Sequence, residues 1–184
     1  ADQAEAAARA RVRLAALGGT RGTGVSLRQF YDPKAKPAIM LWNVSADGRY
    51  AGATDYETGN AAVVELATGK SWNITDYGNW NNEKGFVDQV VISRDGKQIA
   101  FWHYHEGVTR AEVRVAGVDG KNERTLYRAK EPEKRWAGQG FPTDWSPDGK
   151  WIVVQLERGN NQNLNEGVTD FVLLPAAGGE PRVV

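Results

Sequence analysis

Two histidines, His103 and His105, are the residues of this chain best suited to metal binding. They occur in "FWHYHEG", two residues apart in a predicted strand, so both side chains lie on one face. Neutral imidazoles bind zinc, copper or nickel, which makes the pair a candidate metal site. A third ligand is not evident, because the adjacent Glu106 would point to the opposite face. The alternative is a strand end with two solvated imidazoles, and we expect no metal and no cofactor.

Nucleophilic catalysis is the other chemistry to consider, since a serine–histidine–aspartate triad needs a histidine as its base. The same two histidines are the only ones in the sequence. The Gly-x-Ser-x-Gly motif of an α/β-hydrolase nucleophile is absent from it. We therefore expect no catalytic residues in this chain and no enzyme activity from it.

Three loops carry side chains that could contact a protein partner. Tyr77 and Trp80 fall in "DYGNWNNEKG" and Trp136 falls in "EKRWAGQG", where exposed aromatic rings could form a binding rim for a peptide or a sugar. The stretch "RGNNQNLNEGVTD" adds Asn161, Asn163 and Asn165. It lacks the Asp-x-Asp-x-Asp-Gly spacing of a calcium loop. The alternatives are loops that anchor on a sheet edge and, for the Asn-rich stretch, a long hairpin.

A threefold repeat must position these residues. The sequences "VSADGRYAGA", "ISRDGKQIAF" and "WSPDGKWIVV" each place Ser-x-Asp-Gly before a short apolar run. Their aspartates, Asp47, Asp95 and Asp148, are separated by 48 and 53 residues, within the range of propeller blades. Asp-Gly supplies a tight turn, and each repeat adds a variable loop and a second Gly turn. One repeat therefore predicts four antiparallel strands, which is one blade of a β-propeller.

The Ser-x-Asp-Gly-Lys-x-Ile-Ala-Phe pattern, followed by a Gly-Gly or Asp-Gly turn, resembles the blade repeat of TolB-type propellers. "ISRDGKQIAF" and "WSPDGKWIVV" match that repeat closely and "VSADGRYAGA" matches it less well. The resemblance covers about residues 40–184 and implies the fold and a bacterial setting that is periplasmic or otherwise extracytoplasmic. It does not imply one function, because such blades occur in scaffolds, sensors and peptidase gating domains.

We predict an all-β chain, a partial β-propeller of three four-stranded antiparallel blades plus a closing strand, with a short N-terminal α-helix. The Ala-rich start indicates the helix, and "GVSLRQFYDP" stands upstream of the first blade at the spacing of the later outer strands. The predicted units are a helix at 1–19, the closing strand and linker at 20–38, and blades at 39–80, 81–130 and 131–184. Propellers close with about 4 to 8 blades. Further blades should therefore come from the same chain or from other copies.

The composition limits the kinds of partner that we expect this chain to bind. The chain has 23 basic and 23 acidic side chains, and this balance argues against binding to nucleic acid. It has no run of roughly 18 apolar residues, so we expect no membrane insertion by this segment. We predict a non-catalytic protein-binding or scaffold module. The alternatives are the gating propeller of a prolyl-oligopeptidase-like hydrolase and a self-assembling structural subunit.

Overall fold

The computed structural model of the chain describes residues 38–77, 85–105, 110–128, 139–158 and 168–184. Blade 1 consists of β1 (Ile39–Val44), β2 (Tyr50–Asp55), β3 (Asn60–Glu65) and β4 (Ser71–Asn73). Blade 2 consists of β5 (Phe86–Ile92), β6 (Gln98–His105), β7 (Arg110–Gly117) and β8 (Arg124–Arg128). Blade 3 consists of β9 (Gln139–Trp145), β10 (Trp151–Arg158), β11 (Val168–Pro175) and β12 (Arg182–Val183).

Each blade is a four-stranded antiparallel sheet in which the strands keep their sequence order. The predicted all-β architecture with three blades is therefore confirmed for the described residues. The helix predicted at 1–19 and the closing strand predicted within 20–38 lie outside them, apart from residue 38. Within the described ranges, no helix has the length and hydropathy needed to cross a membrane.

The Ser-x-Asp-Gly turn is held by its own side chains. In blade 1 the hydroxyl of Ser45 donates to Asp47 Oδ1 at 2.7 Å and accepts from the backbone N–H of Tyr50 at 3.1 Å. The same Asp47 oxygen accepts from the backbone N–H of Arg49, and Gly48 takes φ +69°, which favours glycine. Blades 2 and 3 repeat these contacts at Ser93 and Asp95 and at Ser146 and Asp148.

Each blade has two faces, and we call the one toward the following blade forward and the other backward. Side chains alternate between the faces along a strand. The forward face of blade 1 and the backward face of blade 2 share one core, which includes Ala61, Val63, Ile99 and Phe101. The forward face of blade 2 and the backward face of blade 3 share a second core, which includes Ala100, Val113, Val115, Ile152, Val154 and Leu174. A third cluster, with Ala51, Ala53, Ala62 and Val64, lies on the backward face of blade 1.

Hydrogen bonds also join the blades at their first strands. The side chain of Asn43 donates to the carbonyl of Ile92 at 3.0 Å and accepts from the N–H of the same residue at 2.6 Å. The indole N–H of Trp145 donates to the carbonyl of Val91 at 3.1 Å. These contacts tie β1 to β5 and β5 to β9, so the blades are joined by polar as well as apolar contacts.

Blades 1 and 2 approach each other too closely for a side chain at Gly52. A Cβ at this position would lie 2.4 Å from the carbonyl oxygen of Val90 and 3.0 Å from the backbone nitrogen of Ile92. Gly52→Ala should lower the free energy of unfolding by about 1–3 kcal/mol, because neither backbone atom can move without displacing a blade. Urea denaturation followed by tryptophan fluorescence measures this. An unchanged or higher stability would show that the blades are further apart than the structure has them.

Acid should weaken the Ser-x-Asp-Gly turns. Hydrogen bonds from the Ser45 hydroxyl and then the Arg49 backbone lower the pKa of Asp47 from 3.8 to about 2. Its ionised form therefore stabilises the fold above the unfolded pKa, and this contribution is lost as the pH falls toward the folded pKa. Asp47→Asn should show a smaller loss of unfolding free energy than the wild type between about pH 4.5 and pH 2. Asp76→Asn, at an exposed aspartate outside the turns, is the control and should follow the wild type.

Candidate functional site

The two histidines lie on the backward face of blade 2, where its apolar core ends. Ile99 and Phe101 precede them on the same face of β6 and pack against blade 1. His103 is directly opposite Glu112 of β7 in the strand register. The face thus changes from apolar to polar at His103, and Glu112 meets the histidines there.

His103, His105 and Glu112 form a compact cluster. Each offers one ligand atom, and these atoms all lie within 4.8 Å of one another. Nε2 of His105 lies 3.3 Å from Oε2 of Glu112, and the two imidazole centroids are 3.9 Å apart. Two ring nitrogens and a carboxylate oxygen form a donor set that suits a transition metal.

Two expectations about these histidines are corrected. His103 is 2% exposed, so the alternative of two solvated imidazoles is wrong for this residue. A third potential ligand exists, and it is Glu112 on the neighbouring strand. The register of β6 with β7 places it directly opposite His103, and this register was the signal that could have revealed it. Glu106 lies outside the described residues.

Three neighbours hold the buried carboxylate of Glu112. Oε1 accepts from Arg128 Nε at 2.7 Å, and Oε2 accepts from the Thr125 hydroxyl at 2.9 Å. Nη1 of Arg114 lies 3.8 Å from Oε2. Burial opposes ionisation, but the contacts with Thr125, His105 and Arg128 outweigh it and lower the pKa of Glu112 below its ordinary value. The group is therefore a carboxylate at neutral pH.

Tyr77 lies in the connection between blades 1 and 2 and packs against the cluster. Its ring stacks on His103 with centroids 3.9 Å apart and an interplanar angle of 14°. Its hydroxyl donates to Glu123, which also pairs with Arg114 Nε at 3.1 Å. Burial, and then the hydrogen bond to Glu123, raises the pKa of Tyr77. Its predicted role in partner binding stays a prediction, and its described contacts are at the junction of the two blades.

The other predicted partner-binding residues lie outside the described part of the chain. They are Trp80, Trp136, Asn161, Asn163 and Asn165. No motif in the sequence indicated Glu112, Arg114, Thr125, Glu123 or Arg128 as part of a site. Their arrangement depends on contacts between strands and between blades, which the spacing of single residues does not reveal.

Comparison with known proteins supports the fold. No protein-family model matches the sequence, and no curated protein matches it. A solved prolyl endopeptidase has a TM-score of 0.53 and 16% identity, with 90% of this chain and 24% of that chain covered. The tricorn protease has a TM-score of 0.50 and 16% identity, with 74% of this chain and 13% of that chain covered. The β-propeller domain of the trilobed protease from Pyrococcus furiosus has a TM-score of 0.49 and 16% identity, over 79% of this chain and 43% of that domain.

The two similarities with TM-scores of at least 0.50 show the fold alone, because both identities are low. Together with the three four-stranded sheets, these two similarities indicate that the described residues are blades of a β-propeller. The chain spans less than half the length of each of the three structures. The blades belong to the broad architecture that the repeat predicted, and no family model confirms the TolB type specifically.

Neutralising Glu112 should destabilise the chain. Glu112→Gln replaces an oxygen by an NH2 group, which cannot accept from both Arg128 and Thr125. We expect a loss of about 1.5–3 kcal/mol of unfolding free energy at pH 7, the usual effect of losing hydrogen bonds to a charged group. The difference should shrink in acid, because a carboxylate with a lowered folded pKa stabilises less as it becomes protonated.

Urea denaturation of the variant and the wild type at pH 7 and in acid measures this effect. Glu57→Gln makes the same change at an exposed position and should alter stability by less than about 0.5 kcal/mol. Equal effects of the two substitutions would contradict a stabilising role for the buried carboxylate.

Proposed function

We propose that this chain is a non-catalytic binding or scaffold module built from TolB-type propeller blades, and that further blades complete its ring. Its setting in this proposal is periplasmic or otherwise extracytoplasmic, and its partner is a protein. The sequence lacks the Gly-x-Ser-x-Gly motif of a hydrolase nucleophile, which supports a role without catalysis.

The forward face of blade 3 is the main support for the proposal, because it exposes positions that are buried in the other two blades. Phe171 is opposite Gln155 in the register and is 49% exposed. The equivalent residues are Val113 in blade 2 and Ala61 in blade 1, and both are fully buried. The face that meets a neighbour in blades 1 and 2 is therefore uncovered at Phe171 in blade 3.

A second position shows the same difference. Leu173 is opposite Val153 and is partly exposed. Its equivalents, Val115 and Val63, are fully buried against the next blade. Since equivalent positions receive a blade twice within this chain, another blade of the same kind is the occupant that the repeat supports. That blade comes from the same polypeptide or from another copy.

The gating propeller of a prolyl-oligopeptidase-like hydrolase is the alternative function. The names of the two structures with TM-scores of at least 0.50 favour it, since both are peptidases. In this alternative a separate domain supplies the catalysis. The intact mass and sequence of the protein from its natural source distinguish the two: a module of blades alone supports our proposal, and an additional hydrolase domain supports the alternative.

Placing a charge on the forward face of blade 3 should prevent its association. We expect the 184-residue chain to self-associate as its concentration rises, because this face can cover the same face of another copy. Phe171→Lys should weaken that association at least tenfold, since it puts an ammonium group into the apolar contact. Sedimentation velocity over a range of concentrations measures it.

Ala177→Lys adds the same charge at an exposed turn residue of blade 3 and is the matched control. It should associate like the wild type. A wild-type chain that is folded and monomeric at the highest concentration would overturn the association of this face with another copy. Equal effects of both lysines would do the same, because they would indicate a general effect of charge.

A further inference from the structure

We propose that His103, His105 and Glu112 bind one transition-metal ion of the zinc class at the junction of blades 1 and 2. Their three donor atoms converge within 4.8 Å. Two imidazole nitrogens favour zinc, nickel or copper over magnesium and calcium, which prefer oxygen ligands. Four-coordinate zinc would keep one further position for water or another donor.

One pair of donor atoms, from His105 and Glu112, already has the separation that zinc requires. Zinc lies about 2.0–2.1 Å from histidine nitrogen and about 2.0–2.2 Å from carboxylate oxygen. Two such ligands at a tetrahedral angle are therefore about 3.3–3.5 Å apart. Nε2 of His105 and Oε2 of Glu112 are 3.3 Å apart. To complete the site, one ring nitrogen of His103 needs only to approach this pair of atoms.

His105 supplies an independent observation. Its Nε2 is enclosed by protein and has no hydrogen-bond partner among the described residues, although Oε2 of Glu112 is near. The contact is close but is not aligned as a hydrogen bond. A buried nitrogen without a partner is costly. A cation placed between Nε2 and Oε2 would satisfy both atoms.

The surrounding side chains orient the ligands. Metal-binding carboxylates are usually hydrogen-bonded by neighbours that fix their direction. Arg128 holds Oε1 of Glu112, so Oε2 remains directed at His105. Nη1 of Arg114 lies 3.4 Å from Nδ1 of His103, and a guanidinium can only donate. A neutral imidazole has one lone pair, so a metal bound at His103 takes the place of this contact, and Glu123 still pairs with Arg114 Nε.

The positive charge of the metal ion is the main effect that opposes its binding. Glu112 and Glu123 balance Arg114 and Arg128 in the cluster, so a divalent ion adds two positive charges. Arg114 is paired with Glu123, which compensates the cation nearest to His103. Arg128 is 67% exposed on its side chain and can move into water at little cost.

The test is a titration of the full 184-residue chain, without a histidine tag, with Zn²⁺ and with Co²⁺ after treatment with a chelator. We expect one zinc ion per chain by calorimetry, absorption bands of coordinated Co²⁺ in the visible range, and a higher urea midpoint with zinc. His105→Ala and Glu112→Gln should each weaken binding by at least about 100-fold. Circular dichroism identifies any variant that does not fold, and His105→Gln, at a partly exposed position, replaces His105→Ala in that case.

Lys121→Gln is the matched control, since it removes an exposed cation that pairs with Asp119 and leaves all three ligands and their neighbours in place. It should bind zinc like the wild type. Absence of stoichiometric binding in the wild type would overturn the proposal. Undiminished binding in a folded His105 variant would also overturn it, because the ion would then be held elsewhere. So would a loss in Lys121→Gln as large as that in His105→Ala.

Discussion

Blade 2 of this protein has two apolar faces, and a neighbouring blade covers each of them. Ile99 and Phe101 are fully buried on its backward face, and Ala100 and Val113 are fully buried on its forward face. A single four-stranded sheet cannot bury both sets by itself. The stability of each blade therefore depends on the next one, and each covered face contributes about 25 cal/mol per Å² of apolar area removed from water. The close approach at Gly52 and the hydrogen bonds between first strands follow from the same requirement.

A polar residue lies on the backward face of each blade where the third strand begins. Asn60, Glu112 and Asp170 occupy equivalent positions at the start of β3, β7 and β11. In blade 1, Asn60 Oδ1 accepts from the Thr75 hydroxyl and from the backbone N–H of Tyr77, each at 2.9 Å, and so holds the connection to blade 2. The ring of the same Tyr77 then stacks on His103. The amide of Asn60 thus holds the backbone of Tyr77, and the carboxylate of Glu112 lies beside the histidine on which the Tyr77 ring stacks.

The sequence predicted the fold well because the turns are local. Ser45, Asp47 and Gly48 make their contacts within six residues, and the same chemistry recurs twice, so three blades could be counted without knowledge of the packing. The cluster was predicted only in part. His103 and His105 share a face for a local reason, but Glu112 joins them through the register of a hairpin. Tyr77 reaches His103 across the interface between two blades, and no pattern in the sequence shows where a connection will cross a neighbouring sheet.

The composition of this cluster is a physical reason to associate it with function. Asn60, Glu112 and Asp170 each pair with a residue of the second strand. That residue is Asp55 in blade 1, His103 in blade 2 and Leu156 in blade 3. Leu156 joins the apolar core between blades 2 and 3, so a leucine suits this position of the fold. A buried group of charged and imidazole side chains stabilises no better than well-packed apolar residues of similar volume and often less well. Blade 2 nevertheless keeps Glu112 5% exposed, with two guanidinium groups and two imidazoles around it. The repeat architecture does not require this arrangement, and a bound cation would account for it.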